Sequence, residues 1–294
     1  MPVRGRPGEW SGRLLRRVAS RLGYDVLPRG PYSVVPDLDK LGEDVFDRRS
    51  PLYGINFDVD RKLAFAREHL RPWIYELGGS AGAWTPDATP FGAVDGEVLY
   101  SMVRHLRPAR VVELGAGYST HVIAAAVRAN ASEGRRARFD AYEPYPPDVI
   151  GGGLPGLDTL HRVRAQDVPD SVFADLGAQD VLFVDTTHTV KVGGDVNRIV
   201  LDILPRLADG VVVHFHDVFL PGEYHRAWLE HGWYWAEQYL VQAFLCLNPE
   251  YEVVWGSAGV WLERREELHA LVPSLRDHRP SSFWIRRTSR PRAA

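Results

Sequence analysis

From Ala109 onward, short runs rich in β-branched residues alternate with segments of helical periodicity, and no other feature restricts the fold as tightly. A strand covered on both faces reads as a nearly unbroken apolar run. RVVELG (110–115), FDAYE (139–143), LHRVRA (160–165), DVLFVD (180–185) and GVVVHFHD (210–217) therefore predict a parallel sheet with helices on both sides. The clearest intervening helix covers 195–207, where Val196, Ile199, Val200, Ile203, Leu204 and Leu207 form one apolar stripe. Another is expected over 234–247, after which YEVVWG and AGVWLE read as a hairpin-like pair at the sheet edge. The expected class is α/β.

Ahead of the sheet, Trp10, Leu14, Leu15, Val18 and Leu22 recur at helical spacing between arginines, predicting a short amphipathic helix over 8–22 that packs on the body or a partner. A Pro- and Asp-rich linker (28–51) follows, then helices over 58–77 and 94–107. Between those helices lies GGSAGAWTPDATP (78–90), a loop long enough to suggest a role. With 294 residues, 45% of them hydrophobic and 25% charged, the chain suits one catalytic-sized domain with appendages. The expected boundaries are 1–91 for extension, linker and lid, 92–264 for the catalytic domain, and 265–294 for a basic tail.

Net charge is −3, yet residues 1–30 carry +5 and residues 276–294 another +5, which leaves −13 on the middle. An acidic body argues against a dedicated nucleic-acid binder, because phosphate neutralisation needs a continuous basic surface. Basic ends suit an acidic partner, a membrane surface or nucleic acid, or plain solvent. No apolar run approaches the roughly 20 residues of a membrane span, and the Arg-rich N-terminus lacks the apolar stretch of a secretory signal. Cys246 is the single cysteine, so no intrachain disulfide forms and a cytoplasmic location is expected.

VVELGAGYST is the most informative segment: an apolar strand ends in an acid and runs at once into Gly115, Gly117 and a helix starting near Ser119 and Thr120. Glycines let the backbone turn sharply and approach a ligand, while the helix start offers free N–H groups. The dinucleotide pattern G-x-G-x-x-G is not completed, since Thr120 holds the third position. Glu113 would repel a pyrophosphate. An acid there suits a cationic or zwitterionic ligand. Glu143, ending the next strand, can accept two hydrogen bonds from a ribose diol, and Asp167, after the third, one from an adenine amino group.

On these residues the chain resembles the class I S-adenosylmethionine-dependent methyltransferases. VVELGAGYST looks like their first motif and AYEP like their second, and 92–262 follows their order of strands and helices. The resemblance implies a Rossmann-like seven-stranded sheet whose last strand is antiparallel. It also implies S-adenosylmethionine as cofactor, with Glu113, Gly115 and Gly117 at the methionine portion, Ser119 and Thr120 in the same loop, Glu143 at the ribose, Asp167 at the adenine and Asp185 also among the cofactor-binding residues.

DVLFVDTTH and VVVHFHD place Asp185, His188, His216 and Asp217 at the carboxyl ends of adjacent strands. Two carboxylates with an imidazole can hold a divalent cation, magnesium or manganese, which would lower the pKa of an acceptor hydroxyl. His188 could then remove the proton. Regular strand alternation would send His216 and Asp217 to opposite sides, leaving one of them behind the other. D-x-x-H and the H-D pair are similar to the branch that includes the macrocin and mycinamicin sugar O-methyltransferases and cephalosporin hydroxylase-like proteins. That resemblance implies Asp185 and Asp217 as metal ligands and His188 as base, with His216 standing where the sugar enzymes carry an acid.

His214 and His225 lack a zinc spacing and read as structural. Asp195 reads as a helix cap. Trp233, Tyr234, Trp235 and Tyr239 suit either core or a substrate wall. The expected function is metal-assisted O-methylation of a small sugar-containing or other secondary metabolite, and the extensions could support a homo-oligomer. Rival readings are a metal-independent enzyme using His188 alone, a non-catalytic scaffold of the same fold, and a dehydrogenase-like nucleotide binder, which Glu113 and the missing third glycine disfavour.

Overall fold

A computed structural model describes residues 9–27, 30–77, 81–87 and 90–288, and the chain divides into two units, 1–42 with 226–234 and 43–225 with 235–294. The smaller unit contains the expected N-terminal helix, α1 (Glu9–Arg21), and a short helix at Arg226–Glu230. Trp228 and Trp233 meet edge to face within it, ring centroids 5.8 Å apart.

The larger unit is built on seven strands: β1 (Arg110–Leu114), β2 (Arg138–Tyr142), β3 (Thr159–His161), β4 (Val181–Val184), β5 (Val212–Phe215), β6 (Tyr251–Gly256) and β7 (Phe283–Arg287). Their order is β3-β2-β1-β4-β5-β7-β6, with β1 to β5 parallel and β7 antiparallel to both its neighbours. Successive residues feed opposite cores, as a period of two requires. Val111, Phe139, Val181 and Phe183 join one core, and Val112, Leu114, Leu182, Val184 and Val213 the other. Full burial of each such side chain contributes roughly 1.5–3 kcal/mol.

The first core is closed by α2 (Val59–Phe65, continuing through a widened turn at Ala66–Leu70 into Arg71–Leu77), α3 (Ala93–Leu106) and α4 (Tyr118–Ser132). Arg104 of α3, almost wholly buried, ties these helices together through Glu76 at 2.8 Å and Glu133 at 2.5 Å. The second core is closed by α5, which starts at Asp195–Asn197 and stays helical to Arg206, and by α6 (Glu237–Leu245). The apolar stripe of 195–207 faces inward, with Val196, Ile199, Val200 and Ile203 buried. Among the described residues no helix is long and apolar enough to cross a membrane.

Two expectations fail at the C-terminal edge. AGVWLE is not a strand but most of a helix, α7 (Ser257–Glu263), followed by α8 (Arg265–Leu271). Gly256 and Gly259 pack closely on Phe57 there, and a Cβ on Gly259 would lie 2.3 Å from that ring. The seventh strand is FWIRR, from the stretch expected as a tail. Phe283 and Ile285 enter one core and Trp284 the other, so the folded unit runs past 264 to 287. The outer parts of both basic ends, 1–8 and 289–294, lie outside the described residues, as do 78–80 and 88–89 of the long loop.

Candidate active site

In an open parallel sheet, ligands gather at the carboxyl ends where chain connections diverge, here between β1 and β4. Gly115, leaving β1 with φ of +83°, lets those ends meet: a Cβ on it would lie 1.7 Å from the Asp185 carbonyl oxygen. Its N–H donates to the Tyr142 carbonyl at 2.9 Å, and the Asp185 N–H donates to that of Leu114 at 2.9 Å. Beside this junction is a cavity of about 310 Å³ lined by Gly115, Glu143, Tyr145, Gln166, Asp185 and Thr187 among others.

Of the residues expected at a cofactor, Gly115, Glu143 and Asp185 line this hollow. Glu143 Oε1 accepts the Tyr145 N–H at 2.7 Å. Asp167 is absent from the lining; its carboxylate accepts from Arg164 Nε at 2.6 Å, and Arg164, Ala165 and Gln166 face the cavity instead. Ser119 and Thr120 are buried and close the loop internally. The Ser119 hydroxyl donates to Glu113 Oε1 at 2.7 Å, and Thr120 Oγ1 accepts the Gly117 N–H at 2.9 Å. Gly117 is extended, and its Cβ position has nothing within 4 Å. Glu113 is fully buried with no hydrogen-bond partner for Oε2 among the described residues. Burial, opposed by Ser119 and Thr120, pushes its carboxyl up to about 8.

Asp185, His216 and Asp217 each bring one donor atom within 4.8 Å of the others. The strand-alternation expectation is overturned here. β5 ends at Phe215 and Asp217 takes φ of +56°, which turns both side chains into one cluster. His188 is also left-handed, with φ of +55°. Non-glycine residues held this way mark sites where surrounding contacts outweigh local strain. His216 Nδ1 lies 3.4 Å from Asp217 Oδ2 and 3.6 Å from Asp185 Oδ2. Its Nε2 faces Ser281 Oγ at 3.3 Å and Asp95 Oδ2 at 3.8 Å. His188 Nε2 lies 3.2 Å from Asp185 Oδ1 and 3.6 Å from Asp217 Oδ2, while Nδ1 is 2.7 Å from Glu237 Oε2.

Asp95, Ser281 and Glu237 escaped the sequence reading because they reach the cluster from α3, the approach to β7 and α6, far along the chain. No local pattern in the sequence marks any of the three. Phe91 and Trp235 wall the site, with ring centroids 4.8 Å from His216 and 4.3 Å from His188. Tyr239 instead donates its hydroxyl to Glu223, and Trp233 and Tyr234 belong to the smaller unit. His214 is structural: it stacks on Phe183, meets the Ser282 hydroxyl at 3.1 Å, and burial lowers it to about 3. Asp195 is not the cap; Gly194 is, and the Asp195 carboxylate accepts the Thr187 N–H and hydroxyl at 3.0 and 2.7 Å.

Burial alone would strip His188 and His216 of their charge, but the carboxylates win. Bonds to Asp185 and Glu237, with the charges of Glu237 and Asp217, push His188 up to about 10, and Asp217 with Asp185 raises His216 well above its ordinary value. Burial would likewise raise Asp185, yet His216 and His188 hold it well below the usual carboxylate range. A histidine raised from about 6.5 stabilises the fold fully below that pH and loses the contribution as pH climbs through about 10. The metal-free protein should therefore melt progressively lower from about pH 6.5 to 10, and His188→Asn should flatten that slope. Thermal unfolding across pH checks this; an unchanged slope in the variant contradicts it.

Residues 112–218, which hold the glycine loop and both strand-end clusters, match a family described as a methyltransferase domain. No curated protein matches the chain. Among solved structures it is similar to the plantazolicin methyltransferase BpumL, in complex with a desmethyl analogue and S-adenosylhomocysteine, at 10% identity over 79% of this chain and 97% of that one, TM-score 0.39. It is also similar to the CMeT domain of the citrinin polyketide synthase, at 14% identity over 99% of this chain and 81% of that one, TM-score 0.32. Both likenesses are too loose to bear on the site. The seven-stranded mixed sheet, with β7 antiparallel between β5 and β6 and helices on both faces, has the Rossmann-like α/β architecture expected from the sequence.

Proposed function

We propose, taking the methyltransferase match over residues 112–218 as the premise, that the protein moves a methyl group from S-adenosylmethionine to a hydroxyl of a small acceptor, sugar-containing or another secondary metabolite, with a divalent cation assisting. One observation carries the reading. Gly115, Glu143 and Asp185, from three strand ends, line a single hollow, and Asp185 also belongs to the cluster with His216 and Asp217.

The residues present fit the cofactor. Glu143 offers a carboxylate to the ribose diol, and Gln166 stands on the wall where the adenine acceptor was expected of Asp167. They also fit a metal. His216 Nδ1 is buried without a hydrogen-bond partner among the described residues, and its other nitrogen is backed by Ser281 and Asp95, as ligating histidines usually are. Two carboxylates and an imidazole make a mixed donor set that favours manganese over magnesium. Bound there, the cation would lower the pKa of the acceptor hydroxyl.

A cation held by Asp185 and Asp217 would offset two of the charges that keep a proton on His188, whose Nε2 faces both carboxylates and would then be placed to take the hydroxyl proton. Phe91 and Trp235 exclude water beside the reacting groups. Holding the acceptor oxygen in line with the sulfonium methyl supplies much of the rate. Glu143→Gln should raise the Kd for S-adenosylhomocysteine about tenfold by calorimetry, the loss of roughly one charge-assisted hydrogen bond, without moving the melting temperature. An unaltered Kd contradicts the reading. Transfer of labelled methyl across a panel of sugars and small hydroxylated acceptors separates an enzyme from a scaffold that binds cofactor without turnover.

A further inference from the structure

Glu237 opens α6 and is fully buried, where an apolar side chain would cost less. Its Oε2 lies 2.7 Å from His188 Nδ1, and its Oε1 has no hydrogen-bond partner among the described residues. The N–H groups of Ala236 and Glu237 both donate to the His188 carbonyl, at 2.9 and 3.1 Å, and the Trp235 ring lies against the imidazole. One short segment thus grips His188 by backbone, ring face and Nδ1. That grip holds the left-handed φ of +55°, which a histidine adopts at some cost, and aims Nε2 at Asp185 and Asp217.

A carboxylate can only accept at Nδ1, and Glu237 Oε2 lies 2.7 Å from it, so Nδ1 keeps a hydrogen in either charge state of the ring, and in the neutral ring the lone pair falls on Nε2. We propose that Glu237 is the positioning residue for His188: it reserves Nε2 as the proton-accepting atom and stabilises the imidazolium that forms during transfer. This inference rests on the methyl-transfer reading above. As the O–CH3 bond forms and the S–CH3 bond breaks, the acceptor's hydroxyl proton passes to Nε2. The sulfonium becomes a neutral thioether, Glu237 balances the new charge on the ring, and the proton later leaves to solvent.

Glutamine is the telling replacement, because its amide can donate to Nδ1 and drive the ring hydrogen onto Nε2. Glu237→Gln is expected to lower kcat by about 10²–10⁴-fold, with acceptor KM and the Kd for S-adenosylhomocysteine held within about threefold. Glu237→Asp, which keeps the carboxylate, recovers part of kcat. In ¹⁵N-resolved proton spectra the wild-type His188 Nδ1 hydrogen is expected far downfield and protected from exchange, whatever the ring's charge, and lost in Glu237→Gln. Wild-type turnover in Glu237→Gln overturns the inference, and so does a wild-type spectrum with no protected Nδ1 hydrogen, a result that needs no folded variant. A wild-type protein that neither binds S-adenosylhomocysteine nor transfers methyl sinks the methyl-transfer reading instead, while the spectrum still reports on Glu237.

Discussion

Gly115→Ala is expected to destabilise the protein by about 3 kcal/mol or more and to abolish binding of S-adenosylhomocysteine. The added methyl would lie 1.7 Å from the Asp185 carbonyl oxygen, on a backbone with φ of +83°. No rotamer relieves either problem. The junction of β1 and β4 must open, which disturbs Asp185 and the hollow together. Gly117→Ala provides the contrast. Its backbone is extended and its Cβ position has nothing within 4 Å, so stability should change by less than about 0.5 kcal/mol. If the loop cradles the cofactor, that methyl should still weaken binding. Urea unfolding and calorimetry on the two variants separate closure of the fold from contact with ligand; equal stability losses in both would contradict the account.

Asp185→Asn is expected to remove the stabilisation that manganese confers and to cut methyl transfer by about 10²–10³-fold. This carboxylate faces His188 through Oδ1 and His216 through Oδ2, so its charge supports both imidazoles as well as a cation. An amide offers one weak oxygen donor and no charge. Because metal ligands must shed their protons, manganese should raise the wild-type melting temperature more at about pH 8 than at about pH 6. Thermal unfolding with and without manganese and chelator reads the first effect, and label transfer the second. Activity that survives chelator, with less than a tenfold loss in Asp185→Asn, would replace the metal-assisted account with His188 acting alone.

The centre of the sheet was legible because strands buried on both faces need long apolar runs. VVEL, VLFV and VVHF could be little else, and Gly115 marks its own turn. The edge was not. AGVWLE has the apolar density of a strand, and the partner its glycines pack against, Phe57, lies roughly two hundred positions earlier, where no local pattern reveals it. FWIRR ends in two arginines that pair outward, Arg286 with Glu252 and Arg287 with Glu250 at 2.7 Å, so it resembles the charged tail around it. In the site, residues leaving β1, β4 and β5 could be named from position alone, since those strand ends converge by topology. Asp167 was misplaced because Arg164, three residues before it, claims its carboxylate. Glu237 and Asp95 were invisible because nothing local distinguishes a buried helix acid from an exposed one.

The most direct test is a crystal structure of the protein grown with S-adenosylhomocysteine and manganese, with anomalous data at the metal edge. The account predicts ribose hydroxyls on the Glu143 carboxylate, the amino-acid end beside Gly115, and an anomalous peak among Asp185, His216 and Asp217. A nucleoside bound anywhere else, or Glu143 turned out of the hollow while the ligand occupies it, would contradict the account.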